Sequence, residues 1–316
     1  MGQSCKAKRH PEKKILLADL IAMDDNDAVC REVKHIVSLI YRDATSDTFI
    51  EVFNTVLDAV VSLFKGTFEG YRSCNTQYHD LKHTTDILLA SARLIHGAHL
   101  KRLKLSEKTV MLGLVSALMH DTGYIQTEND MTGTGAKYTL RHVERSVEFM
   151  RGYFTRKGYP KEYIESCSAI IGCTGINTRI ENIKFPSAEI TAVGQIIGTA
   201  DLVGQMADRV YLEKLLFLFY EFQEGMPREF ESELDILKRT LGFYAYSKQR
   251  LKEELGGMGR YFRWHFKECW NLDCDLYDAA VKNNISYLKL LIDKHQQDYR
   301  SYLKRGGIVK MLDKAL

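Results

Sequence analysis

Proline is scarce in this sequence, with only four prolines among 316 residues, whereas average usage is about 5%. Proline interrupts α-helices because it lacks a backbone N–H and clashes with the preceding turn, so its scarcity favours a mostly helical chain. No segment alternates regularly between polar and apolar residues, and no internal repeat is visible. We therefore predict an all-α fold in the form of a compact multi-helix domain.

The sequence also lacks any run of about 18 apolar residues, the length that a membrane-spanning helix requires. Its first 14 residues are basic, but no apolar segment follows them, so a secretory signal is not expected. The net charge is only +3, and the basic residues form no stripe of the kind that binds nucleic acid. We expect a cytoplasmic protein that contacts neither membranes nor nucleic acid.

Closely spaced cysteine pairs are missing as well. The seven cysteines are dispersed along the chain, and no C-x-x-C motif occurs. An odd, scattered set of this kind is typical of reduced intracellular thiols rather than of a disulfide framework.

The sequence is rich in apolar residues that recur at steps of three and four, the period of an amphipathic helix. We predict helices at about 26–42, 47–65, 77–96, 106–121, 139–157 and 161–172, and one long helix or two over 187–224. Residues 122–138 are rich in Gly, Thr, Asn and Asp and predict a long loop, a candidate lid. We divide the chain into a flexible basic leader (1–25), a main domain (26–255) and a C-terminal helical extension packed on it (256–316).

The segment from Tyr78 to Asp86 holds two histidines, His79 and His83, four residues apart. On a helix these two side chains would project from the same side. One imidazole could then bind a metal while the other faces the same cavity. Taken alone, the pair is more typical of ordinary surface or core histidines.

Two further features place acids in apolar surroundings. His120 and Asp121 end the apolar run 110–119, and burying such a pair is costly unless both are paired or bind a metal. Asp201 lies mid-helix on a largely apolar face, where an acid is a poor structural choice. The ordinary alternatives are a polar helix end and a partly solvated acid.

His142 is a fourth candidate, in the first turn after the long loop. It could bind a second metal or contact phosphate, or simply lie on the surface or cap the helix. Together these histidines and acids form a set of nitrogen and oxygen ligands without thiolate, which favours Zn, Mn, Fe or Mg. Such an ion would keep open positions for water and lower the pKa of that water.

The pattern H-x-x-x-H-x-x-D at 79–86, the H-D doublet at 120–121 and Asp201 within ADLVGQ together carry a family resemblance. In this order they resemble the HD-domain metal-dependent phosphohydrolases, and most of all the catalytic domain of class I cyclic-nucleotide phosphodiesterases. The Thr-Gly pair after the doublet is similar to bacterial HD domains. The resemblance implies an HD-type helical fold with one or two divalent ions.

The resemblance also implies a role for each matching residue. His79 would be the general acid, and Asp86 would support the site from behind the ligands. The implied metal ligands are His83, His120, Asp121 and Asp201. The implied substrate is a small phosphorylated molecule or nucleotide, with Gln205 and Arg145 as candidate contacts, and the chain could form a homodimer.

Two other functions remain open at the level of sequence. One is a catalytically silent HD module that binds a nucleotide or partner in signalling, although such a module has no need of His79 as an acid. The other is di-iron oxygenase chemistry, which needs more imidazole ligands. The segment 170–174 offers no histidine for that purpose.

Overall fold

The computed structural model describes residues 15–23, 25–41 and 45–315. Within them the chain forms twelve α-helices and no strand, which confirms the predicted all-α class. The first six helices are α1 (Asn26–Tyr41), α2 (Asp47–Lys65), α3 (Leu81–Leu100), α4 (Glu107–Met119), α5 (His142–Arg156) and α6 (Lys161–Gly172). The others are α7 (Ala188–Ala207), α8 (Tyr211–Gly225), α9 (Glu233–Glu253), α10 (Phe262–Trp270), α11 (Leu276–Lys294) and α12 (Ile308–Ala315). None of the described helices has both the length and the apolar character needed to cross a membrane.

Three helices, α3, α4 and α7, form the centre of the molecule. Each packs against the other two, and their side chains are buried on nearly all sides rather than along one stripe. Around them, α1 and α10 pack on α3, α2 and α6 pack on α4, and α11 packs on α7. Polar groups on the central helices are therefore held in an apolar interior, where they need partners or a ligand.

Side-chain caps explain where several helices begin. Ser106 caps α4, since its hydroxyl accepts a hydrogen bond from the backbone N–H of Thr109 at 3.3 Å. Helix α3 begins later than predicted, because the Asp80 carboxylate caps it by accepting the backbone N–H of His83 at 2.7 Å. His79 therefore precedes the helix, and the prediction that His79 and His83 share a helical face is wrong.

The segment 187–224 forms two helices. Helix α7 ends at Ala207, where Asp208 takes an extended backbone conformation. The carboxylate of Asp208 then accepts the backbone N–H of Val210 at 3.2 Å and shapes the turn into α8. This turn brings α8 back across the start of α3, where it meets residues 77–79.

The two ends of the described chain also contact the core. Residues 15–23 contain a short 3-10 helix, and Leu17, Leu20 and Ile21 pack against the core. Residues 1–14 and 24, the rest of the predicted leader apart from Asp25, lie outside the described residues. At the other end, α10 and α11 contact the central helices. The boundaries at 25 and 255 stay predictions.

Candidate metal centre

The three central helices bring His83, His120, Asp121 and Asp201 together, and we call these four residues the His/Asp centre. His83 lies in the first turn of α3, His120 and Asp121 follow the last residue of α4, and Asp201 lies about two thirds of the way along α7. All four are at least nine-tenths buried. His83, His120 and Asp121 form one of the groups of side chains that could hold a metal ion.

The ligand atoms of the His/Asp centre converge on one region. The Nε2 atoms of His83 and His120 lie 3.3 and 3.2 Å from Oδ2 of Asp121. The same two nitrogens lie 3.6 and 3.8 Å from Oδ1 of Asp201. Two ligands of one divalent ion are about 3.0 to 3.4 Å apart when metal–ligand bonds are near 2.1 Å. The observed separations are close to that range.

Two atoms of the centre have no hydrogen-bond partner among the described residues. Nε2 of His120 and Oδ2 of Asp121 are buried and unpartnered, although they are only 3.2 Å apart. Their orientation does not suit a hydrogen bond between them. An unpaired buried polar atom is costly, and atoms that face a common point rather than each other are suited to a shared cation. The residues present therefore fit a divalent metal.

Backbone carbonyls orient two of the imidazoles. Nδ1 of His120 lies 2.8 Å from the carbonyl oxygen of Ala117, and Nδ1 of His142 lies 2.6 Å from that of Thr139. A carbonyl oxygen can only accept, so Nδ1 carries the proton and donates it in both rings. In the neutral rings Nε2 then keeps its lone pair and faces the acids. This is the arrangement commonly found for metal-binding histidines.

The buried carboxylates of Asp121 and Asp201 favour a positive charge beside them. Burial favours neutral His83, but the nearby carboxylates of Asp121 and Asp201 outweigh it and raise the pKa of His83 to about 10. Burial also favours protonated Asp121, yet the imidazoles of His120 and His83 hold its pKa well below the usual range. The carboxylate is thus ionised, and positive charge must lie beside it.

His142 faces the second oxygen of Asp121. Its Nε2 lies 3.9 Å from Oδ1 of Asp121, whereas His83 and His120 approach Oδ2. Burial lowers the pKa of His142, so this ring stays neutral at neutral pH. Its ring is nearly parallel to that of Tyr124, with centroids 4.7 Å apart. His142 thus lies beside the His/Asp centre, where the sequence predicted a second ligand set or a phosphate contact.

His79 also faces the centre, and its partner was missed by the sequence analysis. The carboxylate of Glu221 on α8 accepts the backbone N–H groups of Gln77 and Tyr78 at 2.8 and 2.7 Å. Its other oxygen lies 2.7 Å from Nδ1 of His79. The His79 ring stacks on Tyr124 at 4.2 Å and lies 5.9 Å from the His83 ring, measured between centroids. Nδ1 is thereby occupied by a short contact, whereas Nε2 makes only a longer one, 3.5 Å from the Tyr124 hydroxyl.

His79 and His142 form the exposed edge of the site. The side chains of His79 and His142 are 15% and 21% exposed, whereas that of His120 is 1% exposed. A substrate would therefore reach the His/Asp centre past His79 and His142. Within the His/Asp centre, the side chain of Asp201 is the most exposed, at 12%.

The two candidate substrate contacts have partners inside the protein. Gln205 accepts the Tyr78 hydroxyl at 2.8 Å. Arg145 donates from Nε to the carbonyl of Gly123 at 2.7 Å and from Nη2 to that of Ile125 at 3.0 Å. Arg145 thus secures the turn after the H-D doublet. A contact of either side chain with substrate stays a prediction.

Asp86 belongs to a network of charges behind the site. Its carboxylate lies 2.7 Å from Nζ of Lys82, which is also 3.6 Å from Asp208. Lys214 extends the network, with Nζ 3.5 Å from Asp80 and 3.8 Å from Asp208. Burial raises the pKa of Asp86 to about 6. Asp86 thus pairs with Lys82 near the start of α3, and its support of the centre stays a prediction.

Comparison with known proteins identifies a family. A family model described as Npun_R2479-like matches residues 37–245, about two thirds of the chain. The chain belongs to the Npun_R2479-like family. A search of curated proteins found no match, and a search of solved structures found none either. The matched region contains every residue of the His/Asp centre together with His79, His142 and Glu221.

Gly123, in the turn after the doublet, packs closely against the start of α5 in this Npun_R2479-like chain, and a substitution there tests how His142 is positioned. A Cβ on Gly123 would lie 2.0 Å from the carbonyl oxygen of His142 and 2.8 Å from the backbone nitrogen of Ser146. We expect Gly123→Ala to push the start of α5 away and to lower the free energy of unfolding by about 1–3 kcal/mol. Denaturant unfolding measures this loss.

The matched control is Gly242→Ala on α9. A Cβ there meets nothing within 4 Å, and alanine is the better helix former by about 1 kcal/mol. We expect this variant to be as stable as the wild type or slightly more so. Equal destabilisation by both substitutions would contradict the tight contact at Gly123.

Proposed function

We propose that this protein is a metal-dependent phosphohydrolase that cleaves a phosphodiester or phosphomonoester, such as a nucleotide. The observation that carries the proposal is the placement of His79, oriented by Glu221, at the open side of the buried His/Asp centre. A binding module needs a ligand site but has no need of a buried carboxylate that orients an imidazole beside it.

His83, His120, Asp121 and Asp201 would hold one divalent ion of the class Mg, Mn, Zn or Fe. Bound there, the ion would supply a water of lowered pKa and neutralise charge on the phosphoryl oxygens. Oδ1 of Asp121 and Nε2 of His142 face each other at 3.9 Å. This pair would provide ligands for a second ion, or His142 would contact the phosphate.

His79 would act as the general acid. Its Nδ1 proton is donated to Glu221, so Nε2 is the atom that can pass a proton to the leaving oxygen. Glu221 fixes the orientation of the ring. Tyr124 limits rotation of the ring by stacking on it.

The test is a hydrolysis assay on the purified full chain with defined metal. We expect Mn²⁺, Mg²⁺, Zn²⁺ or Fe²⁺ to support hydrolysis of bis-p-nitrophenyl phosphate or p-nitrophenyl phosphate, and EDTA to abolish it. A panel of cyclic and linear nucleotides would then identify the substrate class.

Asp201→Asn is a suitable variant for the same assay, because it keeps the shape of the side chain and removes the charge facing both imidazoles. We expect weaker metal binding and lower hydrolysis. A wild-type protein that binds metal but cleaves none of these esters would contradict the proposal and favour the silent HD module.

A further inference from the structure

A second group of metal-binding side chains lies at the other end of α3. His96 on α3 meets His265 and Cys269 on α10, and we call these three residues the His/Cys cluster. His96 follows His83 by thirteen residues on one helix, which separates the two positions by about 20 Å along the axis. The His/Cys cluster is therefore distinct from the His/Asp centre.

The three donor atoms are spaced as ligands of one ion are. Nδ1 of His96 lies 3.0 Å from Nδ1 of His265. Sγ of Cys269 lies 3.8 Å from the first nitrogen and 3.7 Å from the second. In a tetrahedral zinc site, Zn–N and Zn–S bonds place nitrogens about 3.4 Å apart and nitrogen and sulfur about 3.6 Å apart. The cluster comes close to this triangle.

The cluster is built into the fold rather than assembled from mobile surface groups. His96 is 2% exposed and His265 is fully buried. His265 and Cys269 are four residues apart on α10, so both project from the same side of that helix. Burial lowers the pKa of His96 to about 4 and also lowers that of His265. Both rings are thus neutral, the form that binds metal.

A glycine beside His96 allows the two helices to approach. A Cβ on Gly97 would lie 1.9 Å from the carbonyl oxygen of Tyr261, the residue before α10. Any other residue at position 97 would force α10 away from α3 and open the distance between His96 and His265. The close contact therefore sets the spacing of the donor atoms.

A hydrogen bond between the two imidazoles is the simplest alternative. It would account for the 3.0 Å contact between the nitrogens, because a neutral ring can donate from Nδ1 to the other. It gives no reason for the thiol to lie at nearly equal distance from both Nδ1 atoms. Convergence of three donors on one point is the feature that a cation explains.

We propose that His96, His265 and Cys269 bind Zn²⁺, which fastens α10 to α3. Two imidazoles and one thiolate suit this borderline-soft ion, and three protein ligands leave a fourth position for water. The bound ion displaces the thiol proton. Cys269 is exposed, which provides the path of entry. His265 and Cys269 lie beyond the family match at 37–245, and the proposal does not depend on the proposed hydrolase activity.

Cobalt substitution tests the proposal with a readout that needs no activity. Co²⁺ replaces Zn²⁺ in tetrahedral sites, and a thiolate ligand gives a near-ultraviolet charge-transfer band. The His/Asp centre contains no sulfur, so it cannot produce this band. We expect titration with Co²⁺ to give the band in the purified full chain, reaching a plateau at one thiolate-bound ion per chain once the His/Asp centre is also filled, and Zn²⁺ to displace it.

Matched variants assign the band to the cluster. Cys269→Ser should abolish it, whereas Cys274→Ser, which changes an exposed cysteine outside the cluster, should retain it. His120→Ala should also retain it, because that change affects only the His/Asp centre. Circular dichroism would check that each variant is folded. The absence of the band in the folded wild type, or its persistence in Cys269→Ser, would overturn the proposal.

Discussion

Replacement of His120 by alanine is expected to remove one equivalent of divalent metal and to lower phosphate-ester hydrolysis by about 10³-fold or more. His120 is 1% exposed, and its unpartnered Nε2 is one of the atoms that define the His/Asp centre. Without it, the ion would lose one of its four protein ligands.

Metal analysis after dialysis, combined with the hydrolysis assay, measures this effect. Both measurements are best made in a Cys269→Ser background, so that the metal count reports the His/Asp centre alone. His99→Ala is the control, since it removes an exposed histidine. A folded His120→Ala protein with unchanged metal content would show that His120 is not a ligand.

The second large effect is expected from Glu221→Gln, which should leave metal content unchanged and lower kcat by about 10²–10⁴-fold. The glutamine oxygen would still accept the backbone N–H groups of Gln77 and Tyr78. Its NH₂ group would then face Nδ1 of His79. Because that group donates, His79 would be forced into the tautomer protonated only on Nε2, which is a poor acid.

The dependence on the leaving group separates this role from a structural one. A substrate with a good leaving group, such as p-nitrophenolate, needs little protonation and should lose less than a substrate with an alkoxide leaving group. Glu224→Gln, the same change about one turn along α8 at a residue that binds Thr134, is the control. If Glu221→Gln lowered both rates equally, or also released the metal, His79 would not be acting as the acid through Glu221.

The sequence predicted those parts of the site that depend on residues close together along the chain. An H-D doublet at the end of an apolar run and an acid inside an apolar helix are costly to bury, and the structure buries both. His83 was proposed from its spacing to His79, and His142 from its place in the first turn after the long loop; both lie at helix starts near the doublet. Their roles as ligands stay predictions.

Glu221 could not be found in this way. It lies on α8 among aromatic residues, and 142 positions separate it from His79. The only local signal is a carboxylate within an apolar stretch, which also describes many surface positions. Its role depends on the turn at Asp208, which sends α8 back across the start of α3.

The His/Cys cluster was missed for a related reason. Dispersed cysteines indicate reduced thiols, and nothing near Cys269 in sequence suggests a partner on α3. The H-x-x-x-C spacing of His265 and Cys269 becomes meaningful only when Gly97 lets α10 approach His96. Such a contact between distant helices follows from tertiary packing rather than from local pattern.

Because backbone carbonyls orient His120 and His142, the orientation of these two rings depends little on nearby side chains. The acceptors are backbone oxygens of Ala117 and Thr139, and a change of side chain at either position leaves them in place. These two imidazoles thus keep their orientation through most single substitutions nearby. His79 has no such protection, since its orientation depends on the side chain of Glu221. Substitutions at position 221 should therefore disturb the orientation of an imidazole more often than substitutions at the half-buried position 139.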